Sequence, residues 1–453
     1  MSLEEKDELP DLESVPLFDY LRQEIPVEDI RDFSSPKRIY SIDFVKGFAI
    51  VFIILAHTGS AWFDSEWIYL YGIVYALLDI LGPSLFVFLS ALSVIFSIKR
   101  KQGVLPEKVI RNRIFNRGLV IAIIGIFFNL ISIEFTIEGV PFPLNLWGWN
   151  ILMFIGFSQI FSYYALKINK IGRVIVGIFI IFSSDTIREF LITGKDAGNP
   201  LITFLHYIII SPAPMTPLIP WLSICFISTI FGEYLYDAMI DGSKQAYKML
   251  FRIFFYWGSF LILYGIATGL TLYHYDPASG LPILSENEFP HIQLLKIANS
   301  QMIIPSFRFP GMPEFLIRGR GPNMWYNLGC ALVIIAVSFY YIDLKRKRNN
   351  FISMLEYYGK VSLSMFLVHY AFITLFVGFF NIMFFPFIYF AFVGFMGFLL
   401  YIWIEFAGGV GTPEWIMLQI GRIGQKTSKS IKKETRVIKE EFKEGVKRIK
   451  KKA

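Results

Sequence analysis

Charged side chains are scarce in this chain of 453 residues. Asp, Glu, Lys and Arg make up only 17% of it, whereas 55% of the residues are hydrophobic. Soluble domains usually carry about 25% charged residues, so this composition excludes a soluble globular enzyme. The only two cysteines, Cys225 and Cys330, lie in long apolar runs. This placement predicts small buried thiols rather than a disulfide framework or a zinc site.

Several familiar catalytic signatures are also missing. The sequence has no Walker loop, no dinucleotide glycine fingerprint, no metal-ligand spacing and no hydrolase nucleophile elbow. We therefore expect neither a nucleotide-hydrolysing pump nor a metal centre. No internal repeat is visible, which disfavours transporters built from duplicated halves. The first 36 residues contain no apolar run behind a positive start, so no cleavable signal peptide is predicted there.

Charge of each sign is concentrated at one end of the chain. Residues 1–36 hold eleven acidic and three basic side chains, whereas residues 421–453 hold thirteen basic and four acidic ones. The net charge of +7 thus comes from a tail, and no nucleic-acid partner is predicted. We predict an acidic tail over 1–36, a membrane domain over 37–417 and a basic tail over 418–453. The basic tail is either an amphipathic helix on anionic lipid or a solvated segment.

Long apolar runs fill the region between the tails. A helix needs about 20 mostly apolar residues to cross the hydrocarbon core of a bilayer. About ten such runs predict an all-α polytopic membrane protein, near residues 43–62, 72–98, 112–133, 149–168, 171–190, 201–236, 252–272, 323–343, 358–380 and 383–407. Four prolines interrupt the sixth run between residues 211 and 221. We interpret this run as one broken or re-entrant crossing.

Basic residues are concentrated in alternate connections between the predicted spans. Lys and Arg concentrate in every second loop and in the C-terminal tail, which is typical of cytoplasmic segments. This pattern predicts that both termini are cytoplasmic. The connection over 273–322 is long, is predicted to be extracytoplasmic and contains Arg308, Arg318 and Arg320. A loop of this length is either functional, as a lid or an acceptor-binding surface, or simply variable.

Ionisable residues inside predicted spans are expensive and are therefore candidates for function. His57 follows Asp43 by fourteen residues, about 21 Å along a helix, which places it deep in the first span. Asp79 is predicted at a similar depth in the second span, and a carboxylate beside an imidazole suits a general base. His369 lies on a late span and could reach the same region. Both histidines could equally be buried structural residues.

Three arginines, Arg111, Arg113 and Arg117, open the third predicted span. A guanidinium cluster at the start of a helix would bind phosphates through paired hydrogen bonds. The same residues would also serve as ordinary cytoplasmic anchors of a membrane helix. The spacing alone is compatible with both interpretations.

The segment RIYSIDFVKGFAIVFIILAH resembles the opening of transmembrane acyltransferases. These are the heparan-alpha-glucosaminide N-acetyltransferase family and the related acyltransferase family three. The matching positions are Arg38, Asp43, Lys46, Gly47 and His57, followed by Asp79 and Pro83 in the second span. The later segments RNRIFNRGLVIAIIGIFFN, WGWNILMFIGFSQI, EYYGKVSLSMFLVHY and GTPEWIM follow in the same order as in these families.

This resemblance implies transfer of an acyl group, most often acetyl, from cytosolic acyl-CoA. The acceptor would be a hydroxyl or amine of an extracytoplasmic sugar, glycan or lipid-linked molecule. The implied catalytic residues are His57 as base, Asp79 to orient it and His369 to assist. The implied donor-binding residues are Lys46, Arg111, Arg113 and Arg117. Membrane lipid, acyl-CoA and the glycan acceptor would be the partners, with a homodimer as one form of assembly.

Three departures from the family pattern affect these expectations. Lys46 replaces the usual Arg and so loses the bidentate fork. Ala91 stands where Gly is common. The heparan enzymes carry a catalytic His in the loop after the first span. The corresponding loop of this chain, WFDSEWIYLYG, contains no His, so the resemblance assigns the role to His57. The alternative function is a proton-coupled secondary transporter, in which the same Asp, His and Lys residues would form a proton relay.

Overall fold

The described part of the protein is almost entirely helical. A computed structural model describes residues 39–64, 78–99, 102, 107–130, 146–210, 216–273 and 312–416. The two predicted tails, Arg308 and most of the 273–322 connection lie outside these residues. The α-helices in chain order are α1 (Tyr40–Trp62), α2 (Pro83–Lys99), α3 (Glu107–Phe128), α4 (Ile151–Ala165), α5 (Lys170–Asp196), α6 (Pro200–Ile209), α7 (Leu218–Asp241), α8 (Lys244–Thr268), α9 (Gly321–Phe339), α10 (Asn350–Lys360), α11 (Ser362–Ile373) and α12 (Phe385–Ala407).

Two very short strands close the connection between α8 and α9. The strands β1 (Leu272–Tyr273) and β2 (Met312–Pro313) pair antiparallel. A 3-10 turn, Glu314–Leu316, leads from β2 towards α9. The two ends of the long connection are therefore held side by side.

Five helices in the described ranges are long and apolar enough to cross a bilayer, namely α1, α7, α8, α12 and α9 with its π-helical extension to Leu344. A sixth crossing results if α10 and the segment Ser362–Phe376, which are bent by 85° at their junction, are one broken span. The predicted count of about ten is not confirmed, because helices in the other runs are shorter or more charged. For example, α4 has 15 residues and α3 starts with charged turns.

The sixth predicted run, residues 201–236, contains two separate helices. They are α6, with ten residues, and α7, with 24. Residues 211–215 of the proline-rich segment lie outside the described residues. Because α7 alone is long enough to span, α6 is an additional short apolar helix rather than half of one long crossing.

Helix α1 is the centre of the bundle. It packs against α2, α9, α10, α11 and α12. Cys225 and Cys330 are buried free thiols, as predicted. Large apolar side chains are exposed on the outer faces of α5, α8 and α12, including Phe179, Phe260 and Phe387. Exposed apolar faces of this kind fit a protein embedded in lipid, and several apolar helices make this a multi-pass membrane protein.

Two glycines allow α1 and α10 to touch through their backbones. A Cβ atom on Gly47 would overlap the carbonyl oxygen of Leu355, and one on Gly359 would overlap the carbonyl oxygen of Asp43. Small residues serve this purpose in membrane helix packing. This contact sets the height of α10, and of α11 directly after it, relative to α1.

Carboxylates from distant parts of the chain cap α1 and α11. The backbone N–H groups of Tyr40 and Ser41 both donate to Asp343, each at 3.1 Å. The backbone N–H of Ser364 donates to Glu414 at 2.9 Å, and the Ser364 hydroxyl donates to the other oxygen of the same carboxylate. Oxygen acceptors are needed where a helix starts with unpaired N–H groups. These caps anchor the two helices that carry the predicted histidines.

Candidate functional site

The two histidines predicted on separate spans are in direct contact. His57 on α1 and His369 on α11 are joined by a hydrogen bond of 2.9 Å between Nδ1 of His57 and Nε2 of His369. Their rings are nearly parallel, with centroids 5.2 Å apart. His369 is completely buried, whereas His57 is partly accessible. His57 lies about 25 Å along α1 from its first residue, so the pair is deep in the bundle.

A backbone carbonyl determines which ring nitrogens carry protons. Nδ1 of His369 lies 3.1 Å from the carbonyl oxygen of Met365, which can only accept. With neutral rings, His369 therefore donates through Nδ1–H and accepts at Nε2 from the Nδ1–H of His57. The hydrogen-bond network thus places the proton of His57 on Nδ1 and its acceptor lone pair on Nε2. This is the state that a general base requires.

The lone pair of His57 faces a tyrosine. The Tyr370 hydroxyl lies 3.2 Å from Nε2 of His57, where it donates a hydrogen bond. The Tyr370 ring packs against Phe128, with centroids 4.6 Å apart, and the Phe366 ring lies 6.1 Å from that of His57. The indole N–H of Trp62 donates to the carbonyl of Ile373 at 2.6 Å, which ties the ends of α1 and α11 together next to the site.

Arginines gather where the long connection enters α9. Arg318 is 6% exposed and acts electrostatically on His57. Arg188 of α5 is 5% exposed, and its guanidinium packs close to Gly319. A Cβ atom added to Gly319 would lie 3.2 Å from Nη2 of Arg188. Arg320 makes ion pairs with Asp185 at 3.2 Å and Glu314 at 2.8 Å. Arg318, near the end of the 273–322 connection, is therefore within electrostatic range of His57.

Asp79 and Lys46 occupy different surroundings from the histidine pair. Asp79 starts a 3-10 turn, Asp79–Leu81, that packs against α1 and α9. Its side chain lies outside the described part of the structure, so the proposed contact with His57 stays a prediction. Both ring nitrogens of His57 already have partners in His369 and Tyr370. Lys46 is half-buried on α1, three residues after Asp43, close to the contact with α10.

The three arginines of α3 do not form one cluster. Arg113 and Arg117 are one turn apart and share a face, whereas Arg111 points to the other side of the buried stripe, because residues repeat every 3.6 positions. Arg111 and Arg117 are exposed and Arg113 is half-buried. Among the described residues, no group of three His, Cys, Asp or Glu side chains is arranged to hold a metal ion.

Residues 38–269 match the heparan-alpha-glucosaminide N-acetyltransferase catalytic region. This match covers just over half of the chain, from the start of α1 to the end of α8. The chain belongs to this family. No curated protein and no solved structure matches it. Family membership confirms the resemblance seen in the sequence and makes the protein an integral membrane acetyltransferase, from a family that uses acetyl-CoA as donor.

The histidine site extends beyond the segment that matches the family. His57 lies within residues 38–269, whereas His369, Tyr370 and Met365 lie on α11, outside them. Sequence reasoning missed Tyr370, although it directly follows His369 in the motif FLVHY. It also missed Asp343 and Glu414 as caps and the electrostatic effect of Arg318 on His57. These relations join residues that are far apart in the chain, so only the fold reveals them.

Proposed function

We propose that this protein transfers an acetyl group from acetyl-CoA to an amine or hydroxyl of an extracytoplasmic sugar, glycan or lipid-linked acceptor. The observation that carries the proposal is the hydrogen-bonded series from the Met365 carbonyl through His369 to His57. This series leaves the acceptor nitrogen of His57 at Nε2, inside the bundle of a member of an acetyltransferase family. Basicity at this atom is what acetyl transfer to an amine or hydroxyl requires.

In the proposed reaction, His57 is the general base. The lone pair of the acceptor amine or hydroxyl attacks the thioester carbonyl carbon and the C–S bond breaks. The acceptor proton passes to the Tyr370 oxygen while the Tyr370 proton moves to Nε2 of His57, along the 3.2 Å hydrogen bond. His57 then returns a proton by the same route to the departing thiolate, which leaves as the free thiol of CoA. His369 does not touch the substrates and acts by orienting His57 and stabilising its charged form.

The proposed topology brings the donor from the face where α1 begins. Both termini and the basic connections would be cytoplasmic, and the membrane domain would span residues 37–417. Lys46 and the α3 arginines, Arg111, Arg113 and Arg117, would attract the phosphates of the donor on this side. The acceptor would enter from the opposite side, where α1 ends and where Arg318 is within electrostatic range of His57. In this arrangement, Asp79 would support the acceptor side of the site.

The experiment compares wild-type protein with His57→Ala in detergent. Purified protein is mixed with acetyl-CoA and methyl α-glucosaminide. Two products are measured, namely the free CoA thiol and the acetylated sugar. We expect acetyl transfer by the wild type and a loss of about 100- to 10,000-fold in kcat for His57→Ala, because general-base catalysis contributes this much.

Wild-type rates in folded His57→Ala would refute the role of His57. Methyl α-glucoside, which offers a hydroxyl in place of the amine, distinguishes the two acceptor classes. A secondary transporter would instead move sugar into vesicles in response to a proton gradient and would release no CoA thiol.

A further inference from the structure

A cavity of about 300 Å³ opens where α2 and α4 end and α3 begins. One part of its wall is aliphatic and consists of Ile98, Ile110 and Leu166, and the Tyr163 ring completes this wall. Aliphatic side chains next to an aromatic ring suit a planar heterocycle, which buries its faces against them and keeps its edge polar. The cavity lies far along the bundle from His57 and takes no part in the base chemistry.

The polar edge of the cavity is held in place before any ligand binds. Glu107 accepts a hydrogen bond from the Tyr163 hydroxyl at 2.9 Å and pairs with Lys167 at 2.8 Å. The hydrogen bond from Lys167 lowers the pKa of Glu107, so this carboxylate stays ionised and available as an acceptor. Gln102 adds a side-chain amide that both donates and accepts. The hydrogen-bond donors and acceptors of this edge are complementary to an amino-substituted ring and to the hydroxyls of a ribose.

Positive charge surrounds the cavity on the same side of the bundle. Lys99, next to wall residue Ile98, pairs with Glu233 at 3.0 Å. The same carboxylate also holds Arg173 at 2.6 Å and Lys170 at 4.0 Å, so three cations share one negative charge. Lys167 itself is half-exposed at the cavity. An excess of cations beside a slot for a heterocycle suits a phosphorylated nucleoside.

The geometry points to this cavity as the binding site for the adenosine part of the acyl-CoA donor, with its phosphates on the surrounding Lys99, Arg111 and Lys167. This assignment rests on the proposed function and adds the location of the donor nucleotide. Arg111 follows Glu107 by one turn and so lies on the cavity side of α3. Arg113 and Arg117 lie on the other side of the same helix, so they would attract the donor to this face of the bundle but would not contact the nucleotide in the cavity.

The test uses full-length protein in detergent and three probes: acetyl-CoA, adenosine bisphosphate as its nucleotide part, and S-acetylpantetheine, which lacks the nucleotide. Leu166→Trp fills the cavity, and Lys167→Ala removes a half-exposed cation without affecting the core. Lys195→Ala, near the other end of α5, is the matched control. Affinities are measured by calorimetry, and acetyl transfer is measured with each donor.

We expect Lys167→Ala to weaken binding of acetyl-CoA and adenosine bisphosphate about 10-fold or more, since it removes a charge-assisted hydrogen bond to phosphate. Leu166→Trp should abolish adenosine bisphosphate binding. Both variants should use S-acetylpantetheine as well as the wild type does, and Lys195→Ala should change nothing. Unchanged nucleotide binding in both variants would overturn the assignment, and so would an equal loss with S-acetylpantetheine.

Failure of the proposed function would give a different result. Wild-type protein that binds adenosine bisphosphate through Lys167 but transfers no acetyl group would leave the nucleotide site in place and refute the acetyltransferase. Acetyl transfer by the wild type, together with full nucleotide affinity in Leu166→Trp, would support the acetyltransferase and refute the nucleotide site.

Discussion

Replacing His369 with Phe tests the orientation of the base directly. The phenyl ring keeps the apolar contacts but leaves Nδ1–H of His57 without the acceptor that lies 2.9 Å away. An unsatisfied buried donor costs about 1–3 kcal/mol. If this cost falls on the transition state, in which His57 becomes charged, kcat decreases about 5- to 150-fold. KM for acetyl-CoA should not change, because His369 lies far from the proposed donor nucleotide site.

The assay is acetyl transfer to methyl α-glucosaminide, with thermal unfolding measured in parallel to show that the variant is folded. His369→Gln is the matched control, because its amide oxygen can accept from Nδ1–H of His57 and should restore part of kcat. A folded His369→Phe protein with wild-type kcat would refute the assignment of His369 as the orienting residue. So would a change confined to KM.

Three further predictions follow from named contacts. Tyr370→Phe should reduce kcat about 10- to 100-fold without loss of stability, because it removes the hydroxyl on Nε2 of His57; unchanged kcat in this variant would exclude the proton relay. Gly359→Ala should destabilise the protein by about 1–3 kcal/mol, since its Cβ would overlap the carbonyl of Asp43, whereas Gly394→Ala, with nothing within 4 Å, should be neutral in thermal unfolding. Burial raises the pKa of Glu414 above its ordinary value of 4.5, so the wild type should lose thermal stability as pH rises from about 4.5 through the raised pKa. Glu414→Gln should lack this slope in melting curves recorded from acidic to neutral pH, and an identical slope would contradict the burial of this carboxyl.

The sequence allowed His57 and His369 to be selected as candidate site residues, because ionisable groups are rare in apolar runs. It did not reveal their mutual contact or the role of Tyr370, since 312 positions separate His57 from His369. The α3 arginines show what spacing along the chain leaves open. They are close in sequence and suggested one phosphate-binding cluster, but helix periodicity places Arg111 on a different side from Arg113 and Arg117.

Composition predicted the membrane class correctly, whereas the lengths of the apolar runs did not determine the number of crossings. Apolar composition correctly indicated a multi-pass helical membrane protein, because the cost of burying charge in lipid acts on each segment separately. The number of crossings depends on where each helix ends. Helices such as α4 and α6 end after 15 and 10 residues, and α10 turns by 85° into α11. Breaks of this kind are set by packing against neighbouring helices.

The amino-acid sequence by itself determined the membrane class, the helical architecture and the family, and it identified the two histidines as candidates, because these follow from local composition and short motifs. Only the tertiary structure decided which groups meet. Gly47 and Gly359 bring α1 and α10 into backbone contact, and Asp343 and Glu414 cap the helices that carry His57 and His369. The protonation of His57 is then set by a carbonyl on another helix. Such contacts depend on close packing between segments that are distant in the chain.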